Sequence, residues 1–163
     1  YRKKEGMFAC TGIMYNHESQ RRGAQFVTKK IISSAVKIKK GSQDKLYLGN
    51  LEAKRDWGYS PSYVNAMWKI LQFDKPDDYI IATGKLHTVR EFLEITFSYL
   101  GLEYKNHVEI DPKFFRASES TPLCGDPRKI KNIIGWENSK NLKEIIKEMI
   151  DGELNKYTSG TIK

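Results

Sequence analysis

An α/β fold follows from three features of this 163-residue sequence. Short apolar runs alternate with segments of helical period, and glycine or proline punctuates most changes between them. The two strongest apolar runs are continuous rather than alternating, as in strands of a parallel sheet covered on both faces.

Met7 to Tyr15 is the first such run, bounded by Gly6 and Asn16 and read as a fully buried strand. A polar loop over 16–23 follows. From Ala24 to Lys40 the residues Val27, Ile31, Ala35 and Ile38 recur at helical spacing, and Gly41 stops the helix. Leu46 to Leu48 is a short strand that runs into Gly49 and Asn50, a turn pair that lets backbone approach a ligand. The residues to Gly58 read as loop.

Ser60 and Pro61 are expected as N-cap and first helical residue, with Val64, Met67, Trp68 and Leu71 as the inward face. Asp78 to Thr83 is a second buried strand closed by Gly84. Thr88 and Glu91 form a capping box for a helix that turns Val89, Phe92, Leu93, Thr96, Phe97 and Leu100 inward and ends at Gly101. Val108 to Asp111 is a short strand, and 114–119 a loop anchored by two Phe rings. Asp126 and Pro127 open a short helix stopped by Gly135. Asn141 and Glu144 box the last helix, whose core residues are Leu142, Ile145, Ile146, Met149 and Ile150, with a frayed tail from about Asn155.

This inventory is short of a domain. Only the strands near 8–15 and 79–83 suit a doubly wound sheet, and two buried parallel strands are not stable alone. The expectation is therefore the second half of a longer polypeptide, consistent with an opening that lacks an initiator Met.

Composition narrows the class. Hydrophobic residues at 39% and aromatics at 12% exclude a disordered chain. The net charge of +8 is uneven: seven basic residues and no acid lie between Arg21 and Lys40, which points to an anionic partner or to a solvated helix face. Two cysteines, Cys10 and Cys124, are too few for a disulfide framework or a metal knuckle. No run approaches membrane-spanning length and the first residues lack a signal peptide's apolar region, so a cytoplasmic setting is expected.

Chemistry concentrates in Lys54, Arg55, Asp56 and Trp57. An Arg fork suits a diphosphate because it bonds two oxygens at once. Asp56 is expected to hold that fork and Trp57 to wall it from water; a polar loop whose Arg–Asp pair caps a helix is the competing reading. Arg116 and Glu119 offer a second fork and a carboxylate for a ribose diol, or a surface ion pair. His17 beside Glu18, near Arg21 and Arg22, suits a phosphate or a cofactor, or is a solvated loop histidine. His87 and His107 lack metal-ligand spacing. No Gly-rich phosphate loop and no nucleophile elbow occurs in these residues.

Together the blocks Asn16 to Gly23, Phe26 to Ile31, Leu48 to Gly58, Asp77 to Gly84 and Phe114 to Arg116 resemble the GDP-mannose 4,6-dehydratase family, from Tyr1 to about Leu154 and in the same order. The resemblance implies the C-terminal part of an extended short-chain dehydrogenase/reductase: the end of a Rossmann sheet plus a smaller α/β substrate domain. Residues 1–23 and 60–84 would belong to the NADP-binding domain, and 24–59 with 85–163 to the nucleotide-sugar domain. It implies NADP contacts at His17 and Arg22, GDP-mannose contacts at Asn16, Lys30, Arg55, Arg116 and Glu119, and a guanine near the backbone of Leu48, Gly49 and Asn50. It also implies a dimer or tetramer.

The family's catalytic Tyr-x-x-x-Lys is absent here, since no tyrosine has a lysine four residues later, so no catalytic residue is expected in these residues. The missing N-terminal half would supply it. Departures from the family pattern fall at Tyr59, Ser60 and Ser62 and in Arg116-Ala-Ser-Glu119. The alternatives are another nucleotide-sugar dehydratase or epimerase of the superfamily, or a non-catalytic nucleotide-sugar or nucleic-acid module built on the basic helix.

Overall fold

The computed structural model describes residues 1–115 and 122–158. Its strands are β1 (Thr11–Met14), β2 (Asn16–Glu18), β3 (Leu46–Leu48), β4 (Lys54–Arg55), β5 (Trp57–Tyr59), β6 (Asp78–Ile81), β7 (His87–Thr88) and β8 (Val108–Ile110). The helices are α1 (Val27–Lys39), α2 (Ser60–Leu71), α3 (Val89–Tyr99), α4 (Arg128–Ile134) and α5 (Leu142–Thr158). The strands pair two by two: β1 with β6, β2 with β5 and β3 with β8 in parallel, and β4 with β7 antiparallel.

Local signals set the helix ends. Thr88 Oγ1 accepts the Glu91 amide at 3.0 Å, while the Glu91 carboxylate turns to the His87 ring at 2.9 Å. Asn141 and Glu144 close a reciprocal box, with bonds of 2.7 and 3.1 Å. Gly41, Gly101 and Gly135 all take positive φ, which lets them end helices without Cβ strain.

Two apolar cores result. The larger joins α1, α3 and α5 through Ile31, Ile32, Val36, Phe92, Phe97, Ile145 and Ile146, all fully buried. Burying each such side chain contributes about 1.5–3 kcal/mol. The smaller gathers Tyr63, Ala66, Ile70, Tyr79, Ile81, Ile130 and Trp136 between α2, β6 and α4.

Five expectations are corrected. The first apolar run forms a strand only over 11–14, and Ile13 and Met14, on its two faces, stay half exposed because β6 pairs along one edge and no described element covers these side chains. The 16–23 and 49–58 segments are not all loop, since β2 pairs with β5 and β4 with β7. Ser60 is helical, not the cap; Tyr59 caps α2 without a side-chain bond. The inward face of α2 is Tyr63, Ala66 and Ile70, leaving Val64 and Trp68 at 62% and 60% exposure, with Met67 and Leu71 also outward. The last helix runs through Asn155 to Thr158, because Leu154 and Tyr157 pack on the larger core.

A buried ion pair ties α1 to α5. Lys29 Nζ donates to Glu153 Oε2 at 2.6 Å and Ser33 Oγ to Oε1 at 2.8 Å, with Lys156 adding a bond of 3.0 Å. Burial opposes ionisation of Glu153, but these donors outweigh it and hold its pKa at about 2. A depressed carboxyl stabilises the fold above its ordinary range, and that contribution is lost as pH falls toward about 2. Glu153→Gln should therefore cost about 3–5 kcal/mol near neutrality by leaving Lys29 unmatched. The gap to the parent protein should close between the ordinary carboxyl range and pH 2, as thermal unfolding across that range would show.

Candidate functional site

The helix entry of α1, the turn after β3, strand β4 and the segment 113–115 enclose a cavity of about 750 Å³. Its lining includes Asn16, Arg22, Lys30, Leu48, Gly49, Asn50 and Arg55, so seven of the expected contact residues line one cavity. Arg116 and Glu119 lie outside the described residues. His17 is not in the lining; strand alternation turns it away from Asn16, and its ring centroid lies 5.0 Å from that of Tyr63, with the planes tilted by 32°. His17 Nδ1 donates to the Tyr15 carbonyl at 2.8 Å, so a neutral ring keeps Nε2 as an acceptor.

The charge of the cavity is one-sided. Arg22, Lys30, Arg55 and Lys113 line it, and no carboxylate does among the described residues. Lys30 Nζ donates to the Tyr47 carbonyl at 2.6 Å and sits 4.0 Å from the Phe114 ring centroid. Burial, then the nearby Lys113, lowers the Lys30 pKa, with Asp111 opposing. Lys113 pairs with Asp111 at 2.7 Å and lies 5.1 Å from the same ring centroid. Lys113 was not singled out from sequence and gave no signal beyond lying near Arg116, whereas Phe26 and Phe115 belong to the motif blocks and also line the cavity.

Backbone approach explains Gly49. A Cβ there would lie 2.4 Å from the Phe114 carbonyl oxygen, so only glycine lets the turn after β3 meet that segment. Asn50 Oδ1 accepts the Glu52 amide at 2.9 Å, an Asx turn that leads the chain to β4.

Asp56 does not hold Arg55, which corrects the expected pairing. Residues 55 and 56 point to opposite sides of an extended chain, and the Asp56 carboxylate accepts instead from Thr83 N and Oγ1, Gly84 N and Gly125 N. Arg55 Nη1 donates to the Lys54 carbonyl at 2.7 Å. Trp57 is 3% exposed, stands edge-on to Phe92 and forms part of the cavity wall.

The Arg21–Lys40 run is not one basic face. Arg22 and Lys30 turn to the cavity and Lys29 is buried against Glu153.

The GDP-mannose 4,6 dehydratase family profile matches residues 1–149. GDP-mannose 4,6 dehydratase 1 of Arabidopsis thaliana is 50% identical over 154 residues, covering 94% of this chain and 43% of that protein. The Homo sapiens GDP-mannose 4,6 dehydratase is 42% identical over 171 residues, covering 94% and 46%. The chain thus spans about half the length of the curated relatives it matches. Among solved structures, RMD from Pseudomonas aeruginosa complexed with NADPH superposes with a TM-score of 0.85 at 18% identity, covering 95% of this chain and 50% of that one. The dTDP-glucose 4,6-dehydratase of Bacillus anthracis in complex with NAD gives 0.81 at 19% identity, covering 96% and 48%. These neighbours share the fold of extended short-chain dehydrogenase/reductase dehydratases and epimerases. By the match of its sequence from residue 1 to 149, this chain belongs to the GDP-mannose 4,6-dehydratase family.

Proposed function

We propose that these residues are the sugar-nucleotide-binding half of an NADP-dependent GDP-mannose 4,6-dehydratase. The activity read here is oxidation of the sugar at C4, elimination of water across C5 and C6, and return of the hydride to C6. The observation that carries the reading is the cavity lined by Arg22, Lys30, Arg55 and Lys113, the first three from the sequence blocks that resemble the family. A diphosphate entering it would meet Arg55, Lys30 and Lys113, and each charge-assisted bond is worth about 1.5–3 kcal/mol. In this reading Asn16 and Lys30 contact GDP-mannose, the Leu48–Asn50 backbone lies at the guanine, and Arg116 and Glu119 complete the clamp on diphosphate and ribose.

NADP, when bound, takes up and returns the hydride. Arg22 fits its anionic character: the side chain lines the cavity, and its Nη groups have no hydrogen-bond partner among the described residues. His17 would offer Nε2 to a hydroxyl or amide donor. Residues 1–23 and 60–84 are assigned to the cofactor domain, and 24–59 with 85–163 to the sugar-nucleotide domain. The exposed apolar side chains Ile13, Met14, Val64 and Trp68 support a covering layer, which this reading assigns to the N-terminal half. Assembly as a homo-oligomer and a reducing, cytoplasmic setting belong to the same reading; Cys10 and Cys124 are both free, and no described helix is long and apolar enough to cross a membrane. A nucleic-acid reading loses Arg22, Lys29 and Lys30, which turn inward.

Three outcomes follow. Residues 1–163 alone should form no 4-keto-6-deoxy sugar from GDP-mannose, as the proton-transfer tyrosine and its lysine are not among them; product in a chromatographic assay would refute the assignment. In the full-length protein, Arg55→Lys keeps the charge and loses the fork, so GDP affinity by calorimetry should fall about tenfold or more. Arg22→Ala should raise the apparent constant for NADP much more than that for GDP-mannose, and equal rises would remove Arg22 from the cofactor site.

A further inference from the structure

We propose that Glu18 is a positioning residue: its buried carboxylate sets the Arg22 guanidinium so that both Nη groups are offered to an anionic ligand in the cavity. The inference rests on the assignment of Arg22 to the cofactor and adds the group that stands behind it.

Glu18 is the last residue of β2 and has no solvent exposure. Holding a carboxylate there is costly unless its oxygens are matched. They are matched on one side only. Thr28 Oγ1, from the first turn of α1, donates to Oε2 at 2.6 Å. Arg22 Nε lies 3.2 Å from the same oxygen, close enough to attract but without the alignment of a hydrogen bond. Oε1 is buried and has no partner. The Tyr63 hydroxyl is also buried without a partner, and its pKa is pushed up by burial and then by Asp56 and Glu18. Burial likewise raises the Glu18 carboxyl pKa, against Thr28 and Arg22.

Buried polar atoms without partners are exceptions in folded proteins, and here Glu18 Oε1, Arg22 Nε and the Tyr63 hydroxyl are the three recorded among the described residues. Stability alone gives no reason to keep a charged Glu at this position. Direction does. Thr28 fixes Oε2 from α1, Oε2 attracts the Nε edge, and the Phe26 ring lies 3.5 Å from the guanidinium carbon and covers one face. With one edge and one face taken, the Nη edge is left for the cavity that Arg22 lines. A fork held in advance loses less freedom when an anion arrives.

The test uses the full-length protein and compares Arg22→Ala, Glu18→Gln and the double variant. NADPH binding is read by fluorescence titration, GDP binding by calorimetry and melting temperature by calorimetric scan. Gln keeps the shape and an acceptor for Thr28. Glu18→Gln should weaken NADPH about five- to tenfold, the loss of a charge-assisted contact. It should leave GDP within about twofold by the same scale and leave the melting temperature equal or higher, a combination that a merely structural role would not give. The double variant should be no weaker than Arg22→Ala. Thr28→Val, which frees Oε2, should act in the same direction and serves if Glu18→Gln does not fold. If Arg22→Ala weakens NADPH while Glu18→Gln and Thr28→Val do not, or if the two effects add in the double variant, Glu18 does not position Arg22 and the cofactor reading stands. If Arg22→Ala itself binds NADPH normally, the cofactor reading falls and this inference with it.

Discussion

Asp56 has no solvent exposure, yet its carboxylate accepts hydrogen bonds from Thr83 N at 3.0 Å, Thr83 Oγ1 at 2.6 Å, Gly84 N at 3.0 Å and Gly125 N at 3.3 Å. It sits between β4 and β5. Its partners follow β6 on one side and precede α4 on the other, so one buried charge joins three segments far apart in sequence. An apolar residue at 56 would orphan three amides, since no nearby group replaces the acceptor. The flanking side chains inherit that anchorage: Arg55 and Trp57 both turn to the cavity because Asp56 turns away from it.

The cavity wall is preorganised in the same manner. Gly49 meets the Phe114 carbonyl with no room for a side chain, and Phe114 carries Lys30 at 4.0 Å and Lys113 at 5.1 Å from its ring centroid. Burial first, and the nearby Lys113 second, lower the Lys30 pKa, with Asp111 opposing. Arg22, Lys30, Arg55 and Lys113 all line the cavity, so its field favours an anion over a cation.

Helix α2 shows how far patterning reaches. Val64, Met67, Trp68 and Leu71 recur at helical spacing as well as Tyr63, Ala66 and Ile70 do, and the larger side chains make the first set the stronger inward face by sequence. The chain buries the second set, because β6 and α4 meet that side and Tyr63 closes over Gly58, where a Cβ would fall 2.3 Å from its ring. A helix apolar on two sides has two layers to meet, and the sequence does not rank them.

By itself the sequence determined the α/β class, the helices α1, α3 and α5 with the capping boxes at Thr88 and Asn141, the glycine stops, and the motif blocks that carry the site. Those features arise from contacts within a few residues, which composition and spacing encode directly. Tertiary structure alone decided the strands β2, β4 and β5, the role of Asp56, the turning of His17 toward Tyr63 and the entry of Lys113 into the cavity. Each of these depends on a partner contributed from elsewhere in the fold: Trp57 opposite Asn16, Thr83 and Gly125 around Asp56, Phe114 against Gly49. Polar residues in a short strand carry no period of their own, and only the folded chain supplies the groups that satisfy them.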